Sequence, residues 1–261
     1  MTAYLAFEQV TKSFAAPGGE VLAVINSFSH QVARNEIVVF LGPSGCGKTT
    51  LMRMVGGLDT PSTGRILIDG KVAGPPDRRR GMVFQSYSSF PWLTVAGNVA
   101  FGMKYRRDLS EAEKAERTRH YLALVGLGDF AQSFPSRISG GMRQRVAIAR
   151  TLAAGSDILL MDEPFGALDA QTREHLQTQL RAIQRADAKT IIFVTHDVEE
   201  ALFLADRVIV FSRRPATVIT EIDVAARFGS ERGLELREAK PFFDLRNEVL
   251  RLVRNEVGVN V

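Results

Sequence analysis

Apolar residues recur along this chain with two periods, and the switches between them mark its elements. Residues 4–10 alternate loosely, 17–19 (Pro-Gly-Gly) form a turn, and 20–32 resume the alternation with β-branched residues. The first 35 residues therefore read as β. Three runs are almost continuously apolar: 37–41, 157–162 and 190–195. Such runs predict strands covered on both faces, as in the middle of a parallel sheet. Shorter strands are expected at 64–70, 81–84, 208–211 and 217–222.

Helical spacing appears elsewhere. Ser110 with Glu113 forms a capping box, and the helix it opens runs through Tyr121, Leu122 and Val125 to stop at Gly126. Ser139 caps a helix over 142–154 that ends at Gly155. Leu176, Leu180 and Ile183 share one face of the next, and Asp197 and Glu200 cap a short one. Residues 86–95 have neither period but concentrate aromatics, including the only Trp, and 98–105 continue that character. Such a segment is a packed loop or a docking surface. The expected organisation is one α/β domain over 1–222 with a mainly helical insertion at about 86–155, then an extension over 223–261. That extension is charged and irregular from 225 to 240. Pro241 then opens an amphipathic helix with Phe242, Leu245, Val249 and Leu252 on one stripe, packing back on the domain.

Composition narrows the picture. At 261 residues the chain can bury a sizeable core, and 45% hydrophobic with 24% charged residues is ordinary for a folded domain. The excess of 33 basic over 29 acidic residues is mild and gives no case for nucleic acid. A single cysteine excludes an internal disulfide. No leader is visible, and no apolar run approaches the roughly 18 residues of a membrane span, so a cytosolic chain that meets the membrane through a partner is expected.

The strongest chemical signal is Gly42-Pro43-Ser44-Gly45-Cys46-Gly47-Lys48-Thr49-Thr50, between a predicted strand and a segment that can be helical. This is the G-x-x-x-x-G-K-[ST] pattern in the setting that makes it a phosphate-binding loop. Glycines let backbone N–H groups converge, the following helix adds its positive end, Lys48 would reach the β- and γ-phosphates, and Thr49 would offer a hydroxyl to Mg²⁺. Cys46 contributes its backbone. Other polar residues also follow predicted strand ends: Gln85, Asp162 with Glu163, and His196. Ligands gather at those ends in parallel sheets. Asp162 would hold Mg²⁺ through its hydration shell, and Glu163 would polarise the attacking water. His196 would donate to the γ-phosphate, and Gln85 would reach metal or water. Ser139-Gly140-Gly141 offers a second anion-binding helix start. Phe14, judged alone, reads as ordinary packing, with base stacking as the alternative.

Together these stretches resemble the ATP-binding-cassette ATPases: Walker A at 42–50, the Q-loop at Gln85, the signature at Ser139-Gly140-Gly141-Met142-Arg143, Walker B at 158–163, the D-loop at Ala167-Leu168-Asp169 and the switch histidine at His196. The resemblance covers about 7–222. It implies a P-loop α/β core with a mostly parallel sheet, an N-terminal antiparallel β subdomain and a helical subdomain insertion. It also implies ATP and Mg²⁺ as cofactors, with Thr49, Gln85 and Asp162 toward the metal. A head-to-tail homodimer is implied, in which Ser139, Gly140, Gly141 and Asp169 of one copy complete the nucleotide site of the other. Phe14 falls where family members stack an aromatic on adenine. Met142 replaces the usual Gln of the signature. Tyr87, Phe90, Trp92 and Leu93 lie where transporter members receive a membrane permease. Residues 77–95 with the signature are similar to the nitrate/sulfonate/taurine importer branch. That branch implies ATP-driven import of a small anionic solute, a solute-binding protein as indirect partner, and a peripheral place on the cytoplasmic face of the inner membrane. Two alternatives stand: the ATPase of another small-molecule transporter, and a soluble non-transport ABC ATPase. The latter tend to carry paired cassettes, coiled-coil insertions or zinc cysteines, which this chain lacks.

Overall fold

The loose alternation near the start of the chain is a β-bulge. In β1 (Leu5–Ala15) the buried positions are Leu5, Phe7, Val10 and Lys12, so parity shifts between Phe7 and Val10. The register against β2 (Val21–Val32) shifts at the same place, where Gln9 has φ 50°. An extra residue exchanges the two faces of a strand, which hides a period of two from a simple count. The computed structural model describes residues 3–15, 18–85 and 89–257. They group into two units: Met1–Pro76 with Ile183–Val261, and Asp77–Ala182.

In the first unit, β3 (Ile37–Leu41) leads through the glycine-rich loop into α1 (Lys48–Val55). β4 (Thr63–Ile68) and β5 (Lys71–Val72) complete an antiparallel sheet in the order β2-β1-β4-β5.

The second unit begins with β6 (Arg80–Val83) and carries α2 (Val95–Phe101), α3 (Glu111–Leu124) and α4 (Gly140–Ala154), which pack on one another. β7 (Ile158–Asp162) runs parallel to β6, with Val83 opposite Met161. α5 (Ala170–Ala186) follows. Besides these helices, the unit carries the strands that flank them. The capping box at Ser110 forms in both directions, and Gly155 ends α4 with φ 76°. α2 lies in the stretch read from sequence as aperiodic. At seven residues it has two turns, too few to display a period, and its start is set by Thr94, whose hydroxyl accepts from Gly97 N–H at 3.0 Å.

The chain returns to the first unit at Ile183, within α5, and continues with β8 (Thr190–Thr195), α6 (Val198–Leu204), β9 (Arg207–Phe211) and β10 (Val218–Asp223). β3 lies between β8 and β9 and is parallel to both, while β10 is antiparallel to β9. Every residue of β3 and β8 is buried, as the continuous apolar runs require. Phe7, Phe28, Phe40 and Phe211 meet with ring centroids 4.9–6.3 Å apart and join the antiparallel sheet to the parallel strands.

The tail is more ordered than its composition suggests. α7 (Val224–Phe228) and a 3₁₀ turn (Leu234–Glu238) occupy the region read as irregular. Asp223 caps α7 by accepting from Ala226 N–H at 2.7 Å. α8 (Lys240–Val257) buries Phe242, Leu245 and Val249 and packs on α6. Among the described residues no helix is long and apolar enough to cross a membrane.

Candidate active site

Two groups of candidate residues are built, one in each unit. In the first, the loop leaves β3 at Leu41, directly opposite Thr195 at the end of β8. His196 therefore leaves the same end of the sheet as the loop. It is exposed, and the turn that carries it is pinned on both sides. Thr195 Oγ1 accepts from Asp197 N–H at 3.0 Å, and Asp197 Oδ1 accepts from the N–H groups of Glu199 and Glu200 at 2.8 and 3.0 Å.

The loop is shaped to hold an anion. Gly47 stands at the N-cap of α1 with φ 121°, and no side chain caps the helix. A Cβ at Gly47 would lie 2.5 Å from Ile25 Cδ1 and 2.9 Å from Val24 Cγ1, so β2 presses directly on the loop. The buried Lys48 folds back, its Nζ donating to the carbonyls of Gly42 at 2.7 Å and Pro43 at 2.8 Å. Helix N–H groups without a side-chain cap beside a lysine are the donor set a polyphosphate needs. Thr49 is exposed at the first turn of α1. Phe14 keeps 40% of its surface, stands opposite Leu22 across the sheet and has Lys12 Nζ 4.7 Å from its ring centroid. It is not a core residue.

In the second unit, the register of β6 with β7 brings two strand ends side by side. Gln85 Nε2 donates to Glu163 Oε2 at 3.1 Å. Asp162 is buried at 5% exposure, whereas Glu163 is half-buried one residue beyond it. Glu163 also has φ 44°, a left-handed backbone conformation that costs a non-glycine residue about 1–3 kcal/mol. Such strain, held by the surrounding fold, aims the carboxylate away from the line of β7. Among the described residues no cluster of three or more His, Cys, Asp or Glu could hold a metal alone.

The signature segment lies in the same unit. Ser139 caps α4, its Oγ accepting from Met142 N–H at 3.2 Å. Arg143 Nη1 donates to the Ile138 carbonyl at 2.8 Å. A Cβ at Gly141 would stand 3.1 Å from the Ala167 carbonyl, so the signature turn and the segment before Asp169 pack tightly there. Asp169 caps α5, accepting from Thr172 N–H at 2.9 Å. That bond, with the Thr172 hydroxyl, holds its carboxyl below the usual range.

Two residues not singled out from sequence tie this unit together. Gln144, 1% exposed on α4, donates through Nε2 to the Phe84 carbonyl at 3.3 Å, so the signature helix touches the residue before Gln85. Asn98 is fully buried. Its Nδ2 lies 3.0–3.2 Å from the carbonyls of Phe90, Leu93 and Thr94, and its Oδ1 accepts from Phe90 N–H at 2.7 Å. A polar residue between a loop and a two-turn helix carries no periodic signal. The aromatic segment is held in shape by this amide. Phe90 packs on Phe101 and Trp92 at 4.6 and 5.5 Å, with Arg150 5.0 Å from its ring, and Trp92 is 71% exposed. A cavity of about 320 Å³ beside Phe90 is lined by Arg80, Met82, Phe101, Tyr105 and Arg150 among others. Tyr87 lies outside the described residues.

Comparison with known proteins agrees with these local features. The ABC transporter family model matches residues 25–166. The chain is 43% identical to the nitrate import ATP-binding protein NrtD of Synechocystis, over 96% of this chain and 95% of that one. It is 44% identical to the taurine import ATP-binding protein TauB of Rhizobium johnstonii, over 93% of each. Among solved structures, a dimeric ATP-binding cassette in a post-hydrolysis state with ADP and Pi superposes with a TM-score of 0.76. It is 33% identical, covering 88% of this chain and all of that one. A strand-borne phosphate loop, a second strand ending in two carboxylates and a signature helix are thus those of a known lineage: the chain belongs to the ABC transporter family of ATP-hydrolysing proteins.

Proposed function

We propose that the chain is the ATPase subunit that powers import of a small anionic solute, of the nitrate, sulfonate or taurine type, through a membrane permease. The observation that carries this reading is the likeness, over more than nine-tenths of the chain, to nitrate and taurine import ATP-binding proteins. The dimeric state of the similar cassettes supports a head-to-tail pair in which Ser139, Gly140, Gly141 and Asp169 of one copy face the phosphate loop of the other. The subunit would sit on the cytoplasmic face of the membrane, peripheral and held by its permease.

Bound MgATP would supply the scissile phosphoanhydride and neutralise charge on its oxygens. The loop N–H groups and Lys48 bind the phosphates, and Phe14 stacks on the base. Thr49 Oγ1, Gln85 and Asp162 are the residues that would hold the metal, Asp162 through its hydration shell. Glu163 accepts a proton from the attacking water, and Gln85, already bonded to that carboxylate, holds its rotamer. His196 would donate a hydrogen bond to the γ-phosphate and would lose that partner when phosphate departs.

The reading is tested by purifying the intact complex and measuring ATPase with each candidate solute-loaded binding protein. A nitrate-, sulfonate- or taurine-type anion is expected to raise turnover several-fold, and stimulation only by an uncharged or cationic solute would refute the anion assignment. Docking is tested separately. Trp92→Glu alters an exposed ring and should barely move the melting temperature, yet permease should no longer co-purify. Undiminished co-purification would remove Trp92 from the interface.

A further inference from the structure

The segment that follows β10 grips α6, the helix that begins two residues after His196, at both ends. At the C-terminal end the side chain of Arg232 is fully buried. Its Nη1 donates to the carbonyls of Leu202 and Phe203, each at 3.3 Å, and of Ala205 at 2.5 Å. Its Nε donates to Gly229 at 2.8 Å, and Nη2 stands 3.7 Å from Asp206 Oδ1. At the N-terminal end Glu199 meets Arg246 at 3.4 Å and Arg237 at 3.8 Å. Arg237 also lies 4.5 Å from the Phe203 ring centroid. Phe242, Leu245 and Val249 of α8 are buried.

A seven-residue helix has little stability of its own, so its position is set by what packs on it. Covering an apolar face needs only apolar side chains. Burying a guanidinium is costly unless acceptors meet it, and here they are the terminal carbonyls of α6, at the negative end of its dipole, together with a carboxylate. Asp206 extends the link. Its Oδ2 accepts from Ile37 N–H at 2.9 Å, at the start of the strand that feeds the phosphate loop. Its carbonyl accepts from the N–H groups of Val224 and Ala225. One buried arginine thus joins the end of the His196 helix, the root of β3 and the C-terminal segment.

We propose that residues 224–257 are a positioning element for His196, with Arg232 as its principal residue. By holding α6 at both ends, the segment keeps the His196 turn in register with the phosphate loop through the catalytic cycle. Arg232 touches no nucleotide and acts through α6 and β3. The inference rests on the reading of His196 as the γ-phosphate contact.

The test uses the full-length chain. Arg232→Met is expected to lower kcat about tenfold while KM for ATP changes less than about twofold, the split that marks loss of an interaction made only in the transition state. The more exposed pair offers a variant that keeps the fold. Glu199→Arg should lower kcat several-fold, and adding Arg246→Glu should restore most of it. Folding of each variant is checked by thermal melting. Folded Arg232→Met and Glu199→Arg chains with kcat near the parent value would overturn the proposal. So would matched losses in kcat and ATP affinity, which report general loosening. If Arg232→Met does not fold, the charge swap decides: no loss in the single variant, or no rescue in the double, refutes it. His196→Ala separates the two ideas. Turnover lost there but kept in the clamp variants sinks the clamp alone, whereas turnover kept in His196→Ala sinks the underlying role of His196.

Discussion

Glu163→Gln is expected to lower ATP turnover by about 10²–10⁴-fold, the usual worth of a positioned general base, while ATP binding is retained. That factor corresponds to about 3–5 kcal/mol of transition-state stabilisation. The replacement keeps side-chain shape, and the left-handed backbone at residue 163 is held by its neighbours, so the site should remain assembled. What changes is proton affinity, since an amide cannot take the proton from water. The contact with Gln85 Nε2 at 3.1 Å can persist through the amide oxygen, so the position of the group is not lost with its basicity. Hydrolysis would fall while the ATP-bound dimer accumulates. Phosphate release and size-exclusion chromatography with and without ATP measure the two effects. Turnover within tenfold of the parent would move the base to another residue.

Gly47→Ala is expected to cost at least about 10²-fold in ATP affinity. Two independent penalties act. At φ 121° an alanine is strained whatever the space around it, and its Cβ would fall 2.5 Å from Ile25 Cδ1 and 2.9 Å from Val24 Cγ1. Relief means moving the loop away from β2, and the N–H groups that converge on phosphate move with it. Lys48 follows Gly47 directly, so its reach also changes. A loss of this size is about 3 kcal/mol. Fluorescent-nucleotide titration gives the affinity, and melting without nucleotide separates it from the stability cost. Unchanged affinity would mean that the loop closes around phosphate without the Gly47 conformation seen here.

Much of the site was legible because its signals are local. A phosphate loop needs glycines and a lysine at fixed spacing between a strand and a helix, and all of these lie within 37–55. The caps at Ser110, Ser139 and Asp197 were legible for the same reason: donor and acceptor lie within three residues of one another. The buried strands declared themselves because a strand covered on both faces tolerates no polar alternation.

Phe14 needed more. Its place at the end of the first strand makes a core aromatic less expected there, yet taken alone it reads as ordinary packing, and only the family resemblance points to base stacking. The β1 register leaves it opposite Leu22 with 40% of its surface exposed. The helix at 95–101 is too short to display a period, and the order of 224–238 depends on a backbone carbonyl some way back along the chain. Asn98 ties its helix to the loop at Phe90, while Asp206 receives the N–H groups that open α7.

From the amino-acid order alone come the identity of the fuel, the positions of the strands, the helix starts and the polar residues at the strand ends. Each follows from chemistry within a few consecutive residues. Tertiary structure settled which strand ends stand side by side, as Leu41 with Thr195 and Val83 with Met161. It also supplied the left-handed turn at Glu163, the bond from Gln144 to the residue before Gln85, and the buried Arg232 that ends α6. Their cause is pairing and desolvation between segments remote in sequence. A hydrogen bond spanning 60 residues has no local period, and an arginine reads as surface until four carbonyls close around it.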